Sequence, residues 1–223
     1  MHIKTSDQPL LKLGFGNYTC NWGLHIAGLY ETERERDEII FGFLRQGYLD
    51  GDLQLYAPAE RDQEDFLSRF SGYCQECAEG LNEPEYFNIK TPRELYYPRE
   101  VFSPWDMDRN LDAFYKEARR HGQRQIRATT EMVWALHTIP GIEDLMAYES
   151  RLNYFIPGKP WVSICMYNIH KFTGATIMNV LRTHPFTISQ GIITQNPYFM
   201  DPDDWLAGHA PQFLDRKRNE KHK

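Results

Sequence analysis

From His25 to Tyr30 the chain is mainly apolar and then turns polar at Glu31, after which Ile39, Ile40, Phe43, Leu44, Gly47 and Tyr48 recur at a helical spacing. The first run predicts a strand and the second an amphipathic helix. Thr32-Glu33-Arg34-Glu35 reads as a T-x-x-E capping box that starts the helix at about Glu33, and Asp50-Gly51 ends it. Leu53 and Leu55 alternate in a second strand, and Pro58 precedes a helix from Ala59 to about Glu79. The proline-rich stretch that follows suggests short edge strands at Asn88-Ile89 and Glu94 to Tyr97.

Ser103-Pro104-Trp105-Asp106 supplies a cap, a first-turn proline and an acid before Met107, Leu111, Phe114 and Ala118, so a helix runs from there to Gly122. Gln125 to Glu131 predicts a strand, Gly141 to Phe155 a helix, and "WVSICMY" from Trp161 to Tyr167 a strand buried on both faces. Thr173 to Arg182 is a further helix, stopped at His184-Pro185, and Phe186 to Ile188 with Ile192 to Thr194 form a hairpin around Ser189-Gln190-Gly191. Alternating strands and helices predict an α/β fold: a mainly parallel sheet with helices on both faces, closed by an antiparallel hairpin near the C-terminus. One domain is expected over residues 1–208, followed by a basic tail over 209–223.

Composition narrows the classes. With 41% hydrophobic and 14% aromatic residues the chain has ample material for a core, and a net charge of −6 argues against direct nucleic-acid binding. No secretory pattern and no long apolar run is present, so a cytoplasmic protein with no membrane segment is expected, its four cysteines reduced. Cys74 and Cys77 fall on the buried stripe of the predicted second helix, and with no second pair they are read as core thiols rather than a zinc site. Neither a metal nor another cofactor is expected.

Glu149 carries the sharpest signal. Ile142, Leu145, Met146 and Leu152 define an apolar stripe that includes it, and a carboxylate facing a core needs a partner. That partner is either an arginine or a pocket shared with Glu131, which ends a strand where α/β sheets bind ligands. His25, placed on a strand at the sheet edge, is either hydrogen-bonded structure or a ligand contact. The aromatic segments at Asn17 to Trp22 and Asn196 to Phe199 serve as loop anchors or pocket walls. No G-x-x-x-x-G-K-[ST] occurs, so nothing cradles a phosphate and ATP binding is not expected.

"GLHIAGLYETERERDEIIFGFLRQGYLDGDLQLYAP", "ATTEMVW", "LMAYESRLN", "ICMYNIHKF" and "LRTHPFTISQGIITQNPYFMDPDDWL" together resemble the MEDS domain, a sensory module of methanogen and methylotroph regulators. The resemblance implies a RecA/KaiC-like module without a working phosphate loop that senses small hydrocarbon derivatives. It carries over His25 and Tyr30, Glu131 and Trp134, Glu149, Cys165 and Tyr167, His184, Asn196 and Tyr198 as ligand-binding positions, with Asn168 where the family has an aspartate. It also implies a role in signal transduction and transcription regulation through a partner, such as a kinase, an anti-sigma factor or a DNA-binding output protein, since this chain leaves no room for such a domain. Whether a homo-oligomer forms is left open. The reading is a non-enzymatic module binding a small apolar ligand at the carboxyl edge of the sheet, beside His25, Glu131 and His184. Two alternatives stand beside it: a hydrolytic or metal-assisted enzyme using His25, Glu131, Glu149 and His184, and an interaction module with a vestigial pocket.

Overall fold

In the computed structural model, which describes residues 10–214 other than 82, 121 and 123, a short ribbon of β1 (Leu11–Lys12) and β2 (Thr19–Cys20) precedes the main sheet. That sheet contains β3 (Leu24–Tyr30), β4 (Leu53–Ala57), β5 (Phe87–Ile89), β6 (Ile126–Glu131), β7 (Trp161–Asn168), β8 (Phe186–Ser189) and β9 (Ile192–Gln195), in the order β5-β4-β6-β7-β3-β8-β9. All neighbours are parallel except the β8–β9 hairpin. β7 lies in the middle and every one of its residues is buried, as expected of an apolar strand covered on both faces.

The period-2 alternation of the strands divides the core in two. On one face Ile26, Tyr30, Tyr56, Val162, Ile164 and Met166 pack under α1 (Glu33–Asp50) and α2 (Gln63–Tyr73). On the other, Ala27, Ala128, Trp161, Cys165 and Tyr167 pack under α4 (Pro104–Arg120), α5 (Leu145–Phe155) and α6 (Gly174–Thr183), which follow the short α3 (Pro92–Tyr96). A third cluster joins α5 to α7 (Pro202–His209) and includes Ala210 and Phe213. The packed chain therefore extends past position 208, and the basic residues from Asp215 onward lie outside the described residues. No helix among the described residues is long and apolar enough to cross a membrane.

Several local expectations need correction. α1 does start at Glu33, but only half of the capping box forms: the Thr32 hydroxyl accepts from the Glu35 N–H, while the Glu35 carboxylate takes the N–H groups of Glu31 and Gln190. The second helix starts at Gln63, because Asp62 is its cap, and ends at Tyr73. Cys74 then leaves helical geometry (φ −126°, ψ 87°), and a single turn over Gln75–Cys77 brings the two sulfurs together. Cys74 and Cys77 are disulfide-bonded and fully buried, not thiols on one helix face. Glu94 to Tyr97 is no strand: Thr91 and Glu94 form a complete capping box with Pro92 in the first turn, which makes this segment helical. β3 is an interior strand between β7 and β8, so His25 is not at a sheet edge.

Candidate functional site

Neither partner considered for Glu149, an arginine or a pocket shared with Glu131, is the one it has, and the sheet separates the two carboxylates. Glu131 pairs in register with Met166 and so belongs to the α1 face, whereas His25 pairs with Ser163 and shares the opposite face with Cys165. Of the four residues of the hydrolytic or metal-assisted alternative, His25, Glu149 and His184 lie together and Glu131 does not.

On the α1 face, at the carboxyl edge, Glu131 Oε1 accepts from the Tyr56 hydroxyl at 2.7 Å, and Oε2 accepts from the N–H groups of Ala59 and Glu60 at 2.8 and 2.6 Å. Arg36 Nε and Arg61 Nε each lie 3.6 Å from Oε1. Arg36 also donates to Glu60 at 2.5 Å and to Asp37 at 3.1 Å, Arg61 donates to Asp37, and Lys171 donates to Glu60 at 2.8 Å. Burial, reinforced by Glu60 and Glu131, pushes the neighbouring Tyr30 hydroxyl far above its ordinary range. Buried charge is tolerable here because each carboxylate meets a guanidinium or backbone donors. Asn168 donates to Glu60 at 3.3 Å and so joins this network.

On the α5 face, Glu149 is fully buried and its partners are not arginines. His25 Nε2 lies 3.1 Å and His184 Nε2 3.3 Å from Oε2, Cys165 Sγ lies 3.6 Å from the same oxygen, and the Tyr167 hydroxyl donates to Oε1 at 3.2 Å. α5 supplies Glu149, β3 His25, β7 Cys165 and Tyr167, and the end of α6 His184. The two imidazole rings stack with centroids 4.0 Å apart. Burial, and after it the charge of His184, lowers the His25 pKa to about 4. Burial pushes the Glu149 carboxyl up, but the hydrogen bonds and charges of His184 and His25 overcome this and hold it below the usual carboxylate range. Burial, with the Glu149 charge adding to it, pushes the Cys165 thiol well up.

Of the positions singled out from sequence, His25, Glu149, Cys165, Tyr167 and His184 thus meet in one cluster, under α5 rather than at the carboxyl edge. Asn196 serves it indirectly, its amide donating to the His184 carbonyl at 2.7 Å. Trp134 is buried on the same face but stacks on Tyr96 at 4.4 Å in an aromatic layer. Tyr30 and Glu131 belong to the arginine network, and Tyr198 is 59% exposed, outside both. Sequence reasoning missed Asn153, whose Oδ1 lies 3.3 Å from His25 Nδ1. Its position four residues after Glu149 on one helix face was the available signal.

A small enclosed cavity lies beside Cys165, between the sheet and the helices α4 and α5. Leu55, Tyr96, Leu111, Ala128, Leu152 and Trp161 contribute to its wall. Some of its polar groups are engaged elsewhere: Trp161 Nε1 donates to Ser163 at 2.9 Å, and the Tyr96 hydroxyl donates to Thr130 at 3.0 Å, while the buried Thr129 hydroxyl has no partner. The wall is therefore chiefly apolar, with the Cys165 sulfur as its link to the Glu149 cluster.

Fold and site define an α/β module of KaiC-like architecture in which an ion-pair network occupies the carboxyl edge and a sealed polar cluster lies beneath a helix. The family model for the methanogen/methylotroph, DcmR sensory domain (MEDS) matches residues 24–185, and the chain belongs to that family. It is 22% identical over 166 residues to the transcriptional repressor DcmR of Methylorubrum extorquens, a match covering 73% of this chain and 58% of the repressor. Among solved structures, a KaiC-like protein of Pyrococcus horikoshii superposes with a TM-score of 0.53 at 11% identity, covering 80% of this chain and 79% of that one. That likeness concerns the fold alone. The family membership makes this a sensory domain of the regulatory type.

Proposed function

We propose that the ligand sensed is a small, largely apolar molecule taken into the cavity beside Cys165, and that a regulatory protein partner reads the resulting change. The observation that carries the reading is the cavity's size and lining. Its volume is about 20 Å³. One water needs about 10–15 Å³, so the cavity as it stands takes one or two water-sized groups, and a halomethane enters by displacing its wall. The chiefly apolar wall favours halocarbons and short hydrocarbons over alcohols, with the Thr129 hydroxyl the one buried polar group without a partner in its lining. Occupancy would press on α5, which carries Glu149, and so bias the packing of α5 against α6 and α7.

Thermal melts with dichloromethane, with methanol as the polar one-carbon control, test this. Dichloromethane is expected to raise the Tm of the wild type and methanol is not, while Ala128→Leu, which fills the cavity, should abolish the response. Equal shifts with both compounds, or an undiminished response in folded Ala128→Leu, would place the ligand elsewhere.

A further inference from the structure

Without a metal ion, the contacts around Glu149 are hydrogen bonds only if the buried cluster holds an extra proton, on one imidazole or on the carboxylate. The Asn153 side-chain nitrogen is surrounded by three acceptors, the carbonyls of Thr183 at 2.7 Å, Ser150 at 3.1 Å and Glu149 at 3.3 Å. Asn153 Oδ1 is therefore the atom that faces His25 Nδ1, and it requires an N–H there. His184 Nδ1 lies 2.8 Å from the Val180 carbonyl and likewise must carry a hydrogen. Both neutral imidazoles are thus fixed as Nδ1–H tautomers, and both turn a bare Nε2 lone pair onto one carboxylate oxygen. His184 Nε2 is fully buried and has no hydrogen-bond partner. Protonating both rings would set two cations face to face at 4.0 Å, sealed from solvent.

We infer that His25 Nε2, His184 Nε2, Glu149 Oε2 and Cys165 Sγ are the four ligands of a divalent transition-metal site, with zinc as the ion the donor set suits. These four atoms all lie within 4.8 Å of one another. Tetrahedral zinc with bonds of about 2.0–2.3 Å separates its ligand atoms by about 3.3–3.8 Å. The measured separations are 3.1 Å (His25 to Glu149), 3.3 Å (His184 to Glu149), 3.6 Å (Cys165 to Glu149) and 3.7 Å (Cys165 to His25). The two remaining separations, from His184 Nε2 to His25 Nε2 and to Cys165 Sγ, lie within 4.8 Å, so His184 has to close in by up to about 1 Å to complete the geometry.

The surroundings match as well. Each histidine donates its other ring N–H to a carbonyl oxygen, from Asn153 or Val180, and the Tyr167 hydroxyl holds the free Glu149 oxygen, which is how metal ligands are usually oriented. A divalent ion with one carboxylate and one thiolate is neutral in sum, so the buried site carries no net charge. Two imidazoles and a sulfur argue against magnesium or calcium and for zinc, cobalt or ferrous iron. Asn153, which holds His25, also lines a surface groove with Pro185 and Phe186. This inference does not depend on what occupies the neighbouring cavity.

The test uses the full chain, stripped with chelator and titrated with Co²⁺ and then Zn²⁺. One equivalent of Co²⁺ should bind, with the strong visible bands of a tetrahedral site and a near-ultraviolet thiolate-to-cobalt band, and Zn²⁺ should displace it. The thiolate band should vanish in Cys165→Ser and persist in the double variant Cys74→Ser, Cys77→Ser. X-ray absorption on the zinc-loaded wild type needs no variant and should show one sulfur and three nitrogen or oxygen neighbours. Folded wild type taking up less than about a tenth of an equivalent, a band that survives in Cys165→Ser, or a zinc shell without exactly one sulfur would each overturn the assignment.

Discussion

Two carboxylates are buried on opposite faces of the same sheet, and the fold neutralises them differently. Around Glu131 the compensating charges are permanent: Arg36 and Arg61 flank it, two backbone N–H groups and Tyr56 donate to it, and Glu60 and Asp37 accept from other nitrogens of the two guanidiniums. Around Glu149 the neighbours are His25, His184, Cys165 and Tyr167, groups whose protonation depends on what else is bound. Arginine stays charged in any protein environment, whereas imidazole and thiol change state with their surroundings. The Glu131 network rests on fixed charges, and the Glu149 cluster does not.

The same substitution separates them most clearly. In Glu131→Gln two guanidiniums lose one of their counter-charges and one amide oxygen must serve donors that two carboxylate oxygens served, at an expected cost of about 3 kcal/mol. In metal-free protein, Glu149→Gln brings an N–H that can donate to a bare Nε2, so the cost should stay within about 1 kcal/mol. Urea unfolding at unchanged m-value measures both. Equal losses would mean that Glu149, too, is held by fixed charge.

A smaller effect distinguishes how each side is held. Asn153→Ala strands the His25 N–H and leaves the Thr183 carbonyl without its donor, which should cost about 2 kcal/mol regardless of ionic strength. Lys171→Ala removes a half-exposed partner of Glu60, a residue that keeps Arg36. Its cost should be no more than about 1 kcal/mol and shrink between low and high salt. The comparison fails if the Asn153 variant is the salt-sensitive one.

The parallel sheet, its central strand, the terminal hairpin and most helices were legible in the chain, because apolar period and caps are local properties. Glu149 was legible as buried, and five positions of its cluster were named. What could not be read was register. Whether Glu131 falls on the face of Cys165 or of Met166 depends on a one-residue offset between β6 and β7, and that offset inverts every side chain. The same blindness hid the arginines: Arg36 and Arg61 look like solvated charges beside other charges until Glu131 is placed on their side. Cys74 was misread for a local reason, since the apolar spacing continues through a break in the helix that only its backbone angles reveal.

The smallest effect is expected from nucleotide. In a nucleotide-binding version of this architecture, the turn after the first strand presents free N–H groups to phosphate at a helix N-terminus. Here β3 leads through Glu31 and Thr32 into α1, and the protein satisfies that turn itself: the Thr32 hydroxyl takes the Glu35 N–H, and the Glu35 carboxylate takes the N–H of Glu31 at 2.9 Å and of Gln190 at 2.7 Å. Glu33 and Glu35 add negative charge to the first helical turn, and Asp37, Glu60 and Glu131 follow behind it. A triphosphate would have to displace these carboxylates from donors they already occupy, and neither Arg36 nor Arg61 is free to follow it. Calorimetric titration with ATP and Mg²⁺ should therefore give no saturable heat, which corresponds to a Kd weaker than about 1 mM. Micromolar, magnesium-dependent binding would show that the Glu131 side opens after all, and the contrast between a face held by fixed charges and one that is not would have to be abandoned.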